Sequence, residues 1–344
     1  MNRKKFISSV ITAGAALSAS NGWAASTSKE PNVARLMQKI PPYLKSGDAI
    51  GITSPAGYIG LHDIQPAVQL MESWGYKVII GAAVGKRDFT YGGRDEERMA
   101  DFQLMLDDPE IKAIMCARGG YGLVRTIDGL NFKTFVKHPK WIIGFSDVTV
   151  LHCHINRNFG IASLHSKMCN SFPGDWTKAD PVQIATILSI RQALAGEDFK
   201  YTAPANALNR LGRAEAPLIG GNLSIIETLA GTVSDLDTKN KILFIEDTGE
   251  YLYSIDRMLW NLKRTGKLSK LAGLIIGGFK VKQDDPNEEF GKSVAEIILE
   301  KVKEYDYPVC FDFPVGHQRN NIAIKCGVRH ILMVENTGST LRSL

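Results

Sequence analysis

Short apolar runs alternate with stretches of helical periodicity along the first half of the chain. Residues 48–53 form an apolar run that Ser54-Pro55-Ala56-Gly57 breaks, which predicts a buried strand ending in a turn. Apolar positions at helical spacing follow over 64–74, and a strand over 77–80. Gly92-Gly93 opens a predicted helix over 94–106; its Asp95, Glu96 and Glu97 fall in the first turn, where negative charge complements the helix dipole. Two further strands are predicted over 112–116 and 141–144, with helices over 121–127 and 148–158. Apolar strands followed by amphipathic helices indicate a parallel sheet covered on both faces. Function then collects at the carboxyl ends of the strands.

From 173 to 213 the pattern is irregular, with Gly174, Asp175, Pro181 and Pro204 around one helical stretch, and reads as a connecting segment. A second unit follows, with strands predicted over 218–224, 241–246, 271–279 and 309–313, helices over 253–264 and 293–303, and a β-branched, apolar tract over 321–334. No internal repeat or low-complexity tract interrupts it. The expected organisation is a lead segment over 25–43, an N-terminal domain over 44–172, the connecting segment over 173–213 and a C-terminal domain over 214–344, with a cleft between the two α/β domains.

Residues 1–24 read differently. Arg3-Lys4-Lys5, the apolar run over 6–19 and Gly22-Trp23-Ala24 supply the basic, apolar and small-residue parts of a secretory signal peptide. The run is shorter than the roughly 20 residues a membrane span needs. A membrane anchor or an unfolded tail is the alternative reading. The expectation is export to the periplasm by a Sec or twin-arginine-like route, with no stable membrane anchor after cleavage.

This segment changes the meaning of the charge. The 344 residues carry 41 Lys plus Arg against 36 Asp plus Glu, a formal net charge of +5; three of the basic and none of the acidic residues lie in 1–24, leaving 38 against 36. The basic excess is an export feature, and a nucleic-acid partner is not indicated. With 44% hydrophobic residues and Gly and Pro spread without period, collagen, coiled coil and wholesale disorder are excluded. Five cysteines, an odd number for an exported chain, do not suggest a disulfide framework. Cys116 and Cys153 read as small buried hydrophobes, and a Cys310–Cys326 bridge is left open.

Candidate chemistry sits at the predicted strand ends. In Trp141-Ile142-Ile143-Gly144-Phe145-Ser146-Asp147-Val148 a buried strand ends in Gly-x-Ser and turns into a helix. That arrangement lifts a Ser hydroxyl to the sheet edge and places the next amide where it can face an oxyanion. The string resembles a nucleophile elbow with Val148 where a hydrolase elbow has Gly; Ser146 or Asp147 acting as a helix cap is the bland alternative. Ala117-Arg118-Gly119-Gly120-Tyr121-Gly122 also follows a buried strand, and its glycines either admit a ligand to the backbone or make a plain strand-to-helix turn. A Ser nucleophile needs a base and an orienting group. His317 stands in a loop broken by Pro314 and Gly316, and Glu246 ends a predicted buried strand. His152 and His154, two apart on a helix, face different ways and cannot chelate one metal together; His165 reads as core or cleft. Ser146, Glu246 and His317 thus fall at three strand ends in the order Ser, acid, His.

Five ordered motifs carry a resemblance over about residues 44–332: Arg-Gly-Gly-Tyr-Gly at 118–122, Gly-Phe-Ser-Asp at 144–147, Gly-Gly-Asn-Leu at 220–223, Phe-Ile-Glu-Asp at 244–247 with Ile-Asp-Arg-Met-Leu at 255–259, and Pro-Val-Gly-His at 314–317. Together they resemble the LD-carboxypeptidase family of serine peptidases, which includes muramoyltetrapeptide carboxypeptidases and microcin C immunity peptidases. The resemblance implies a Rossmann-like or flavodoxin-like N-terminal domain and a β-rich α/β, swivelling-barrel-like C-terminal domain. It implies Ser146 as nucleophile, Glu246 as orienter, His317 as general base and acid, an oxyanion hole from the amides of Gly120 and Asp147, no metal or organic cofactor, and a homodimer. Arg118 and Arg319 are candidates for the substrate's terminal carboxylate, and Asn222 for building the cleft. The expected reaction releases terminal D-Ala from murein tetrapeptides, so the partner is a peptidoglycan-derived peptide. The alternatives are cleavage of a peptidyl-nucleotide antibiotic, with Phe172 and Trp176 as stacking candidates, and a non-catalytic periplasmic binding protein.

Overall fold

The first five strands lie side by side and parallel. β1 (Ala49–Thr53), β2 (Lys77–Ile80), β3 (Ile111–Cys116), β4 (Trp141–Gly144) and β5 (Ser163–His165) stand in the order β2-β1-β3-β4-β5. This is the flavodoxin-like doubly wound order, with its topological switch point between β1 and β3. The computed structural model describes residues 38–344, which form one compact unit; the signal-peptide reading of 1–24 lies outside the described residues. β1 and β4 are buried at every position, as strands covered on both faces must be.

The covering helices are α1 (Gln65–Ser73), α2 (Asp95–Asp107), α3 (Lys133–Lys137) and α4 (Thr149–Phe159). Glu97 accepts the Arg94 N–H at 3.0 Å, closing the start of α2. The helix predicted over 121–127 is not formed. Short 3-10 turns at Leu123–Arg125 and Ile127–Gly129 replace it. Gly120 and Gly122 have φ of +106° and +144°, incompatible with a helix start, and the Asp147 carboxylate holds the Leu123 N–H at 2.9 Å.

The segment predicted as a connector carries α5 (Pro181–Ala195) and β6 (Lys200–Ala203). β6 joins a seven-stranded sheet with β7 (Gly212–Asn222), β8 (Ile242–Thr248), β9 (Gly273–Lys280), β10 (Val309–Cys310), β12 (Arg329–Glu335) and β13 (Gly338–Ser343), in the order β10-β9-β8-β7-β12-β13-β6. β7 to β10 are parallel; β12, β13 and β6 are antiparallel. α6 (Leu223–Thr228), α7 (Leu252–Arg264) and α8 (Val294–Val302) cover the parallel part. β11 (Ile324–Cys326) returns to the first sheet and pairs antiparallel with β5.

The two sheets share one apolar core. A single buried cluster runs from Ile142, Val148 and Ile155 through Leu223 and Leu243 to Ile276 and Val309. Burial of this kind contributes about 25 cal/mol per Å² of apolar surface, so the shared core fixes one sheet against the other. The Cys310–Cys326 bridge is not formed: all five cysteines are free and buried. Among the described residues no helix is long and apolar enough to cross a membrane.

Candidate active site

Ser146 lies two residues beyond β4 with φ at +63°, in the left-handed region that a residue with a side chain occupies only when its surroundings impose it. The turn Ser146–Val148 then feeds α4. Phe145 and Asp147 are buried and Ser146 is partly exposed, so the turn delivers one hydroxyl to the sheet edge. The departure at Val148 has a local explanation. A Cβ on Gly144 would come within 2.8 Å of Val148 Cγ2, so the missing side chain at 144 makes room for the larger residue at 148.

The chain leaving β3 runs against this serine. A Cβ on Gly119 would stand 3.0 Å from Ser146 Cβ and 3.3 Å from its Oγ. The Gly57 N–H donates to the Gly119 carbonyl at 3.0 Å. In a trans peptide the C=O and N–H point in opposite directions, so the Gly120 N–H is turned away from Gly57. A Cβ on Gly57 would lie 2.7 Å from that carbonyl oxygen, which is why this turn needs glycine. Asp147 secures the same loop through its carboxylate on Leu123 N–H. Burial pushes the Asp147 carboxyl up to about 6, opposed by the Leu123 amide, the Arg98 charge and the Gly122 amide.

Arg98 was not singled out by the sequence reading. It is buried, donates from Nη1 to Pro55 O at 2.6 Å and from Nε to Gly93 O at 3.2 Å, and pairs with Asp95. The loop after β1 and the start of α2 are thereby tied together. The available signal was its spacing: Arg98 precedes Phe102 and Met105 by four and seven positions on the apolar face of α2.

Glu246 and His317 form the second half of the site. Glu246 lies in β8 beside Asn222 of β7 and is fully buried. Its Oε2 accepts both the His317 Nδ1–H at 2.5 Å and the His317 backbone N–H at 3.1 Å. A carboxylate only accepts, so the hydrogen of this contact sits on Nδ1, which in the neutral ring leaves the lone pair on Nε2. Gly316 has φ of +98°, and a Cβ there would fall 2.4 Å from Glu246 Cβ. Asn321 Oδ1 holds the Gly316 N–H at 2.8 Å. The two halves meet at Phe145, whose ring centroid is 4.9 Å from that of His317. Among the described residues no hydrogen bond joins Ser146 to His317; such bonds are often long before substrate binds.

The remaining predicted residues take other places. Asn222 is buried: Nδ2 donates to Asp247 at 3.0 Å, and its N–H donates to Thr149 Oγ1 at 3.0 Å, joining β7 to the start of α4. Arg118 is exposed, donates to Tyr58 O at 2.8 Å, and lines a cavity of about 410 Å³ with Tyr58, His62, Asp63 and Asn170. Arg319 is 77% exposed and pairs with Asp180. Phe172 is buried against Trp74, 6.4 Å between ring centroids, while Trp176 packs on the same core and stays partly exposed.

The buried histidines are structural in their contacts. His152 reaches Ser163 Oγ at 2.8 Å and Gly144 O at 2.9 Å, and burial pushes it down to about 4. His165 is core, between Phe145 and Phe244, and burial holds it well below its ordinary value. Among the described residues no group of three or more His, Cys, Asp or Glu is placed to hold a metal.

Comparison with known proteins gives this geometry a context. Residues 50–166 match the LD-carboxypeptidase N-terminal domain, and residues 215–332 the LD-carboxypeptidase C-terminal domain. The chain is 35% identical over 291 residues to the "probable murein peptide carboxypeptidase" of Bacillus subtilis, covering 84% of this chain and 90% of that one. It is 29% identical over 289 residues to the murein tetrapeptide carboxypeptidase of Pseudomonas aeruginosa, covering 82% and 92%. The crystal structure of muramoyltetrapeptide carboxypeptidase from Oxalobacter formigenes superposes with a TM-score of 0.76 at 27% identity, over 86% of this chain and 98% of that one. A relative at 23% identity over 321 residues is the microcin C7 self-immunity protein MccF of Escherichia coli, covering 85% and 92%. The chain belongs to the LD-carboxypeptidase family of serine peptidases.

Proposed function

We propose that this enzyme hydrolyses the L-to-D peptide bond that releases the terminal D-alanine of murein tetrapeptides, by an acyl-enzyme route through Ser146, His317 and Glu246. The observation that supports the reading is the packing of Phe145, the neighbour of Ser146 in a turn strained at φ +63°, on the ring of His317, which Glu246 holds. The names of the relatives in Pseudomonas aeruginosa and Oxalobacter formigenes support the substrate class.

In this reading His317 Nε2 takes the Ser146 proton as Oγ attacks the scissile carbonyl. Glu246 keeps Nδ1 protonated and stabilises the imidazolium that forms. The amides of Gly120 and Asp147 receive the oxyanion, at about 3 to 4 kcal/mol per donor in related chemistry. His317 then protonates the departing D-alanine, and water, activated by the same imidazole, hydrolyses the ester.

Product analysis on disaccharide tetrapeptide and pentapeptide tests the substrate: D-alanine from the tetrapeptide alone supports the reading, and release only from the pentapeptide contradicts it. Periplasmic action belongs to the proposal and rests on residues 1–24; homodimer assembly belongs to it through the family resemblance. A peptidyl-nucleotide substrate is less favoured, because Phe172, one of its two stacking candidates, is buried in the core. Turnover of an aspartyl-adenylate mimic in preference to tetrapeptide would reverse that ranking.

A further inference from the structure

A carboxypeptidase must recognise a free carboxylate three bonds from the carbonyl carbon it attacks. Of the basic residues near the site, Arg98 is committed to Pro55, Gly93 and Asp95, while Arg118 and Arg319 are exposed and turned to Tyr58 and Asp180. One cation is left.

Lys167 lies two residues beyond β5, as Ser146 lies two residues beyond β4. Gly144 and His165 are parallel partners, and the Ser166 N–H continues the ladder to Gly144 O at 3.1 Å, so Ser146 and Lys167 leave the sheet side by side. Met168 confirms the closeness. Its Cε would lie 3.2 Å from a Cβ on Gly119, the glycine that abuts Ser146.

The Lys167 ammonium is half-buried, 5.3 Å from the Phe145 ring centroid on the side chain that also packs on His317. It donates one hydrogen bond, to Gln318 O at 2.8 Å, and among the described residues it forms no ion pair. An ammonium has three donors, and a partly desolvated one without an anion is costly. Burial lowers its affinity for the proton, and the Glu246 charge nearby opposes that.

We infer that Lys167 Nζ binds the terminal carboxylate of the substrate and sets the exopeptidase specificity of the site, with Gln318 O and the Phe145 face holding the ammonium in place. The inference rests on the serine carboxypeptidase reading above.

The test compares a tetrapeptide ending in D-alanine with its C-terminal carboxamide, for wild type and Lys167→Met. Wild type favours the acid, and Lys167→Met lowers kcat/KM for the acid about 10- to 100-fold while changing the amide less than about threefold, as expected for one charge-assisted contact. Lys167→Arg retains part of the preference. The acid-to-amide ratio does not depend on the fraction of folded enzyme, so a poorly folding variant still answers. Equal loss on both substrates, or an unchanged ratio, overturns the inference and leaves Lys167 as a clamp on the His317 loop. A wild type that hydrolyses neither substrate overturns the proposed function itself.

Discussion

One carboxylate oxygen, Glu246 Oε2, receives two hydrogens from His317: the ring Nδ1–H at 2.5 Å and the backbone N–H at 3.1 Å. The double contact fixes the ring tautomer and the loop that bears it at once. It also requires the glycine at 316, because Glu246 occupies the space a side chain there would need.

Glu246→Gln removes the charge that stabilises a protonated His317 and can present an amide to Nδ1. Steady-state kinetics on the tetrapeptide should show kcat lower by about 10² to 10⁴, with KM changed little. The melting temperature should hold or rise, since a buried carboxylate with an unpartnered Oε1 gives way to a neutral group. Unchanged kcat would remove Glu246 from the mechanism.

Gly57→Ala tests the proposed oxyanion arm at a distance from Ser146. The new Cβ would press on the Gly119 carbonyl from 2.7 Å and rotate the peptide whose other end is the Gly120 N–H. The expected result is a fall in kcat of about 10²-fold or more, with KM little moved. A rise in KM at constant kcat would instead place this loop in ground-state binding.

The Asp147 carboxyl supplies a pH signature. Its folded value is raised from 3.8 to about 6, with burial as the main cause, so between those values the folded protein holds a proton that the unfolded chain has released. The stability this contributes is fully present below about pH 4 and is lost as pH rises through about 6. Asp247, also raised to about 6 by burial, acts in the same direction. Asp147→Asn keeps an acceptor for Leu123 and cannot titrate. Denaturant unfolding from pH 4 to 7 should give a shallower decline for the variant, by at most about 1.4 kcal/mol per pH unit. Parallel curves would show that Asp147 does not titrate in this range.

All five thiols are buried, and burial pushes Cys169 and Cys326 up to about 12 and Cys310 to about 11. A buried, protonated thiol is a poor nucleophile. Intact mass after iodoacetamide at pH 8 should show no adduct on the native protein and five after denaturation. Native labelling at any cysteine would contradict the burial.

Much of the N-terminal sheet is readable because its strands are short, largely apolar runs: 141–144, buried at every position, and 77–80, an exposed edge strand, both have the bounds predicted for them. The turns were harder. The periodicity over 121–127 suggested a helix, but positive-φ glycines and an acceptor from Asp147 win locally. β6 and β13 escaped because half-exposed flank strands lack a continuous apolar signature. β11 escaped because its partner, β5, lies some 160 residues earlier in the chain. In the site, Ser146 follows its strand as expected, whereas β8 runs two residues past Glu246 and β10 stops at Cys310, leaving His317 in a loop. Lys167 was not legible, because its significance depends on a contact across 151 residues, to Gln318.

In the proposed mechanism Ser146, activated by His317, attacks the tetrapeptide's terminal peptide bond. Mass spectrometry of purified wild type and Ser146→Ala incubated with disaccharide tetrapeptide tests it most directly. The wild type should give disaccharide tripeptide and free D-alanine and the variant intact tetrapeptide; equal D-alanine release by Ser146→Ala would rule out Ser146 as the nucleophile.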